Sequence, residues 1–329
     1  MIVKPQEQAL EGSLRPQRWD EYLGQEKVKG TLKVIIDAAK KRNDPLEHLL
    51  FYGGPGLGKT TLAHVIANEL GAQIRTCAGP ALEKAGDLAS LLTNLEDGDI
   101  LFLDECHRVH KSVMEMLYSA LEDFQLHLII GKGPMARTMD LDLPRFTLIG
   151  ATTRMALLPA PFRNRFGAIF QLQFYTQEEI EQILRRTSSL LHMPVDEDAL
   201  RLISARSRHT PRIANRIFKR VRDFATIEES SKITKEIAQK AFSFLEIDAL
   251  GLEPADRKII ETLIHKFAGG PVGIQSLTAA LSEEEDTILD LYEPYLLQTG
   301  LLERTPRGRV ATPLAYRHLK IPPPQAELL

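Results

Sequence analysis

From Leu49 onward, four short apolar runs, LLFYG (49–53), QIRTC (73–77), ILFLD (100–104) and FTLIGA (146–151), alternate with stretches of mixed polarity. Runs of this length separated by helical patterns predict the strands of a parallel sheet with crossover helices, and hence an α/β fold. Between the first two runs, Leu62, Val65, Ile66 and Leu70 recur at helical spacing, and Gly71 supplies the stop. After Tyr175 the texture changes. TQEEIEQILRR, DEDALRLISARS, TPRIANRIFKRVRDFA and TKEIAQKAFSFLE predict four successive helices, with Thr176, Asp196 and Thr210 as N-caps. A further change falls near Leu250. Three helical stretches there precede GLLERTPRGRVAT, whose turn at Pro306 to Gly308 predicts a small hairpin and a winged-helix module.

These changes divide the 329 residues into an N-terminal tail (1–13), a large phosphate-loop α/β domain (14–175), a small helical domain (176–248), a winged-helix domain (249–321) and a Pro-rich tail (322–329). One segment of the large domain stands apart. In the region 126–143, Leu126, Leu128 and Ile130 alternate with His127 and Ile129, and Met139, Leu141 and Leu143 alternate with Thr138, Asp140 and Asp142. This predicts two antiparallel arms joined by the Gly-Pro tip of IIGKGPMARTM. That stretch is no second phosphate loop, because Lys132 is followed by Gly133 and Pro134 rather than by Ser or Thr. The ribbon either packs on its own domain or, as apolar surface beyond what an α/β core needs, meets a partner.

With 41 Lys and Arg against 44 Asp and Glu, the net charge of -3 excludes a protein that coats nucleic acid with a uniformly basic surface. Cys77 and Cys106 are too few for a disulfide framework and are expected as free thiols. The N-terminus lacks a signal-peptide core, and no stretch approaches the roughly 20 apolar residues of a membrane span. A cytoplasmic location is expected.

The strongest chemical signal is GGPGLGKTT (53–61), which follows a predicted strand, opens a helix and matches the phosphate-loop pattern through Gly53, Gly58, Lys59 and Thr60. Its glycines let backbone N–H groups surround a phosphate, Lys59 reaches the β- and γ-oxygens, and the Thr60 hydroxyl suits Mg²⁺. ILFLDECH places Asp104 and Glu105 at the end of a buried strand, where two carboxylates are tolerable only beside a cation. Asp104 is expected to hold Mg²⁺ and Glu105 to polarise the attacking water. On FTLIGATTR, Thr152 and Thr153 emerge near the γ-phosphate region, and Thr153 is expected to act as a sensor. Arg163 and Arg165 of APFRNRFG have no obvious acidic partner in sequence, which suits either a solvated face or an arginine finger supplied in trans. Arg212 opens the helix of HTPRIANR beside Pro211, where it can report nucleotide state. Finally, Arg304, Arg307, Arg309, Arg317 and Lys320 lie in a stretch without an acidic residue. That stretch is either a solvated basic hairpin or a phosphate-contacting wing, in which Gly308 would permit close backbone approach and sequence would not be read.

The phosphate loop, DE strand end, threonine sensor, NRF arginine and TPR arginine, followed by a helical lid, resemble the AAA+ ring ATPases. LRPQRWDEYLGQ (14–25), LYSALEDF (117–124), GATTR (150–154), RFG (165–167), TPRIANR (210–216), GGPVG (269–273), YEPYLLQTGLL (292–302) and RTPRGRVATPLAYRHL (304–319) narrow the resemblance to the RuvB family of bacterial Holliday-junction branch-migration motors. It covers nearly the whole chain. The resemblance implies an ATPase that forms a homo-hexamer around duplex DNA and translocates it. Branch migration would be driven with RuvA, and with RuvC in the larger complex, during recombination, repair and the SOS response. It implies that Leu14, Arg15 and Tyr22 line the adenine pocket, that Gly56, Leu57, Gly58, Lys59, Thr60 and Thr61 hold the ATP phosphates, and that Thr60 and Asp104 hold Mg²⁺. Glu122, Asp123, Phe124, Arg165, Tyr175 and Arg212 complete the nucleotide set, with Arg165 as trans finger and Arg212 as second sensor. Arg304 and Arg309, with Arg307 beside them, would contact DNA. The ribbon near 126–143 would dock RuvA through Ile129, Ile130, Met135 and Met139.

Three positions depart from the family pattern: GGPG replaces GPPG, Cys106 stands where isoleucine is usual, and His209 where glycine is usual. If position 209 requires positive φ, histidine there costs about 1 kcal/mol. Two other readings share most of the site: a clamp-loader-like AAA+ remodeller, and a nucleotide-gated winged-helix switch. The RTPRGR segment argues against the first, and the combination of Glu105 and Arg165 against the second.

Overall fold

The computed structural model describes residues 12, 14–130 and 137–322; Met135, the hairpin tip, the side chains of Ile129 and Ile130 and both terminal tails fall outside them. The chain forms two compact units, Met1–Phe174 and Tyr175–Leu329.

The first unit opens with helix α1 (Glu26–Arg42), followed by β1 (Leu49–Tyr52), α2 (Lys59–Leu70), β2 (Ile74–Ala78), α3 (Ala85–Leu92), β3 (Ile100–Asp104) and α4 (Lys111–Glu122). The hairpin strands β4 (Gln125–Ile130) and β5 (Arg137–Asp142) come next, then β6 (Thr147–Thr152), the short α5 (Ala160–Arg163) and β7 (Ala168–Gln171). The main sheet runs β2-β3-β6-β1-β7, and all its pairings are parallel. β3 is buried from Ile100 to Leu103 and β6 throughout, as expected of central strands covered on both faces. The fifth strand, β7, was not foreseen. It is four residues long and only Phe170 is buried, so no apolar run announces it at the sheet edge. On α2, Leu62, Val65 and Ile66 are buried, and Gly71 caps the helix at φ 67.

β4 and β5 form the expected antiparallel ribbon, pairing Leu126 with Leu141, Leu128 with Met139 and Ile130 with Arg137. Leu126 is buried in the large core, Leu128 and Leu141 pack partly against it, and Met139 is 40% exposed. The apolar face thus changes along the ribbon from core to surface. Across the strands, His127 Nδ1 lies 2.6 Å from Asp140 Oδ1, and Gln125 donates to Asp142 at 3.0 Å.

The second unit contains α6 (Gln177–Leu190), α7 (Glu197–Ala205), α8 (Pro211–Ile227) and α9 (Lys235–Phe244), then α10 (Pro254–Phe267) and α11 (Ile274–Leu281). A short turn α12 (Glu285–Thr287), a π-helical stretch and α13 (Glu293–Gln298) lead into β8 (Leu302–Thr305) and β9 (Gly308–Ala311). These two strands pair antiparallel as the wing, and α14 (Pro313–Leu319) follows. Thr176 caps α6 by accepting the Glu179 N–H. Asp196 and Thr210 occupy N-cap positions without making that bond. Instead Asp196 accepts from Lys232 at 2.9 Å, and the Thr210 hydroxyl donates to the Arg208 carbonyl at 2.8 Å, since a stronger or nearer partner competes for each side chain. Within this unit, Arg208 joins the stretch before α8 to α10 through its bonds to Asp256 (3.2 and 2.5 Å), with both side chains buried. Among the described residues, no helix is long and apolar enough to cross a membrane.

Candidate active site

The phosphate loop leaves β1 at the C-terminal end of the sheet and becomes α2 at Lys59. Its bend depends on glycine: Gly53 has φ 149, and a Cβ there would approach the Leu172 carbonyl to 2.6 Å. Leu57, 1% exposed, anchors the loop in the core. The Lys59 ammonium donates to the Gly53 and Gly54 carbonyls at 2.8 and 2.9 Å, so it lies within the loop's own curve. Gly56 and Gly58 adopt positive φ, and Thr60 and Thr61 occupy the first turn of α2.

β3 delivers the carboxylates to the same edge. The Thr60 hydroxyl lies 3.4 Å from Asp104 Oδ2, so a hydroxyl from α2 and a carboxylate from β3 converge across 44 positions of sequence. These are hard oxygen donors, the type that suits Mg²⁺. Glu105 turns away from the strand at φ 48, an uncommon conformation for a non-glycine residue. Its Oε2 accepts the Thr153 hydroxyl at 3.2 Å, which links β3 to the end of β6. The sequence had placed Glu105 and Thr153 separately, and the fold brings them into contact. It adds His107, which sequence reasoning missed: its Nδ1 lies 3.2 Å from Glu105 Oε2 and 2.9 Å from Thr152 Oγ1. No local pattern marks a histidine two residues after a carboxylate as its neighbour.

Leu14 and Tyr22 are buried, and the Gln17 carbonyl accepts from Asn68 at 2.8 Å, which ties this segment to α2. Burial, with the nearby positive charge of Arg15, holds the His64 imidazole below its usual range and sets Arg15 near the same helix.

Arg165 corrects one expectation. Its guanidinium is ion-paired to Glu122, a partner hidden from local sequence because 43 positions separate them. It also donates to the Pro161 carbonyl at 3.3 Å and lies 5.6 Å from the Tyr118 ring centroid. Arg165 precedes β7, and the Gly167 N–H bonds the His48 carbonyl just before β1. Arg165 therefore lies at the end of the sheet opposite the phosphate loop. The length of β1, roughly 13 Å at about 3.3 Å per residue, separates the two ends. Glu122 shares that far edge with Phe124, whose ring packs against His48 and Phe146, and Asp123 stands exposed between them.

In the second unit, Arg212 is exposed in the first turn of α8. His209 has φ 53, so the condition for strain is met; its Nδ1 bonds the Tyr175 carbonyl at 2.9 Å and its own carbonyl accepts the Tyr175 N–H at 3.0 Å. On the wing, Arg304 and Arg309 are register partners, and both bond Glu293 of α13. Arg304 donates at 3.3 and 2.7 Å, Arg309 at 2.9 and 3.4 Å, and the carboxylate side chain is 1% exposed. The wing that carries no acid in its own stretch is thus seated on one from another element. Arg304 remains 55% exposed and Arg309 only 12%, while Arg307 is exposed at the turn. Gly308 also differs from expectation. A Cβ there would collide with the Val272 carbonyl, so the close backbone approach is internal to the domain.

Three family models match in series: the Holliday junction DNA helicase RuvB P-loop domain over residues 14–172, the RuvB AAA lid domain over 175–248 and the RuvB C-terminal winged helix domain over 249–320. The Holliday junction branch migration complex subunit RuvB of Dehalococcoides mccartyi is 56% identical over 313 residues, which covers 95% of this chain and 90% of that one. A solved structure of the Thermotoga maritima RuvB Holliday junction branch migration motor is 49% identical, with a TM-score of 0.88 over 94% of this chain and 99% of that chain. The phosphate loop, the carboxylate pair, the helical lid and the basic wing accordingly have one common explanation: the chain belongs to the RuvB family of P-loop ATPases.

Proposed function

We propose that this chain is an ATP-driven motor that migrates Holliday junctions, working as a homo-hexamer around duplex DNA with RuvA, and with RuvC in the larger complex. The observation that carries the reading is the separation of Arg165 from Lys59 by the length of the sheet. An arginine so placed serves a nucleotide held by a neighbouring copy, and a closed ring supplies that neighbour to every subunit.

In this reading Lys59 and the loop amides orient the ATP phosphates, and Thr60 and Asp104 would hold Mg²⁺, which would supply positive charge to the phosphoryl oxygens. Glu105 takes a proton from the attacking water while Thr153 steadies its carboxylate. Arg165 of one subunit meets the γ-phosphate of the next, with Glu122, Asp123 and Phe124 on the same edge, and Leu14, Arg15 and Tyr22 face the adenine. Tyr175 and Arg212 report the nucleotide to the lid. The wing meets DNA phosphates through Arg304, Arg307 and Arg309, and the hairpin offers Ile129, Ile130, Met135 and Met139 to RuvA.

The test is ATP-dependent dissociation of a synthetic four-way junction, with and without RuvA. Dissociation that requires ATP and is strengthened by RuvA is expected. Intact ATPase with no dissociation under either condition would overturn the proposal.

A further inference from the structure

His107 has no part in the reaction as described above, yet it is an enclosed polar side chain close to Glu105. It lies on the short 3-10 turn Cys106–Arg108 and its side chain is 3% exposed. Nδ1 is 3.2 Å from Glu105 Oε2 and 2.9 Å from Thr152 Oγ1. Thr152 is fully buried at the end of β6, and its hydroxyl oxygen accepts the Arg154 N–H at 3.0 Å. The same Oε2 of Glu105 accepts the Thr153 hydroxyl.

Proton accounting assigns the ring's role. A carboxylate offers only lone pairs, so Nδ1 bonds Glu105 only when it carries the proton; a bare Nδ1 would set its lone pair against an anion. With Nδ1–H shared between Thr152 Oγ1 at 2.9 Å and Glu105 Oε2 at 3.2 Å, the Glu105 oxygen meets the turn after β3 as well as the Thr153 hydroxyl at the end of β6. Glu105 needs such support, because its side chain is 34% exposed and its backbone sits at φ 48. A carboxylate free to rotate about its last bond would present its lone pairs to the water in many orientations, and these two contacts on Oε2 reduce that freedom.

We propose that His107 is the positioning residue of the general base: through Nδ1–H it holds the Glu105 carboxylate in register with the hydroxyls of Thr152 and Thr153, so that the sensor strand and the base move together. The inference rests on the reading of Glu105 as general base.

Three substitutions test it, because they separate the donor from the ring. His107→Phe keeps the ring volume and removes the donor; His107→Asn retains an N–H at the position of Nδ1; His107→Gln places its N–H near Nε2 instead. Steady-state and single-turnover ATP hydrolysis are measured beside equilibrium binding of a fluorescent ATP analogue, and thermal melts establish that each variant is folded. His107→Phe and His107→Gln are expected to lower kcat about 10- to 100-fold, the scale on which outer partners of catalytic groups act. KM and the analogue's Kd should stay within about 2-fold, and His107→Asn should recover kcat to within about 3-fold of the parent protein. A His107→Phe variant with parental kcat, an Asn variant no better than the Gln variant, or a loss of analogue binding that accounts for the fall in rate would each overturn the assignment. Glu105→Gln is the control for the underlying reading: retained turnover there removes the general base itself, whereas its loss together with a silent His107→Phe sinks only the role of His107.

Discussion

The Arg165 guanidinium is ion-paired to the Glu122 carboxylate of its own chain, at the end of the sheet that the phosphate loop does not occupy. In the proposed ring, this cis pair would hold the finger until a neighbouring nucleotide competes for it. Arg165→Ala should lower DNA-stimulated ATP hydrolysis by about 10³-fold or more. Nucleotide binding should remain nearly intact, and the exposed pair should contribute little to stability. Mixed assemblies of Arg165→Ala and Glu105→Gln subunits should regain part of the turnover, because some interfaces then contain both groups. Absence of any recovery in a titration of one variant against the other would place the finger elsewhere.

On the wing, burial separates two arginines that look alike in sequence. Arg304→Ala, which removes an exposed charge, should reduce the slope of log K for duplex DNA against log salt by about 0.9. Arg309→Ala leaves the Glu293 carboxylate, 1% exposed, with one partner fewer. Arg304 still pairs that carboxylate, so the second unit should lose about 2 kcal/mol in denaturant unfolding, the scale of a hydrogen bond to a charged group. Equal stability of the two variants would contradict this division.

His48 predicts how stability responds to acid. Its Nε2 donates to the Leu121 carbonyl at 3.0 Å and its Nδ1 accepts the Leu148 N–H at 2.9 Å, which requires a neutral ring. Burial holds its pKa below the ordinary 6.5, against smaller upward pulls from the Leu121 bond and Glu47. Below pH 6.5 the unfolded chain takes up a proton that the folded chain refuses, so stability is full above that value and falls beneath it. The slope approaches about 1.4 kcal/mol per pH unit until the folded pKa is passed. Calorimetry of the parent protein and His48→Asn between pH 7.5 and 5.5 should show a steeper fall in the parent, since the variant keeps only the contribution of His64.

At the hairpin, Met139 is exposed and pairs with Leu128 across the ribbon. Met139→Asp adds a charge to the apolar face without touching the nucleotide site. It should reduce RuvA-dependent stimulation of junction dissociation several-fold while basal ATPase stays unchanged; loss of basal ATPase with stimulation retained would refute the docking role.

Much of this molecule is legible in its sequence because the signals are local. The phosphate loop is a run of nine residues whose glycines and Lys59 have no other economical use, and ILFLD can be buried only if its carboxylate emerges at an edge. The hairpin follows from alternation within each arm, and Thr176 caps a helix through a residue three positions away. The four-residue strand β7 carried no such period, and it exists because β1 offered an open edge. The pairing of Arg165 with Glu122, the seating of Arg304 and Arg309 on Glu293 and the approach of His107 to Thr152 were decided by tertiary structure alone. Each joins side chains from different elements, and neither period nor composition states which elements pack together. A local pattern shows that a residue is charged and near a turn, while only the closed fold determines which opposite charge it meets and how much water lies between them.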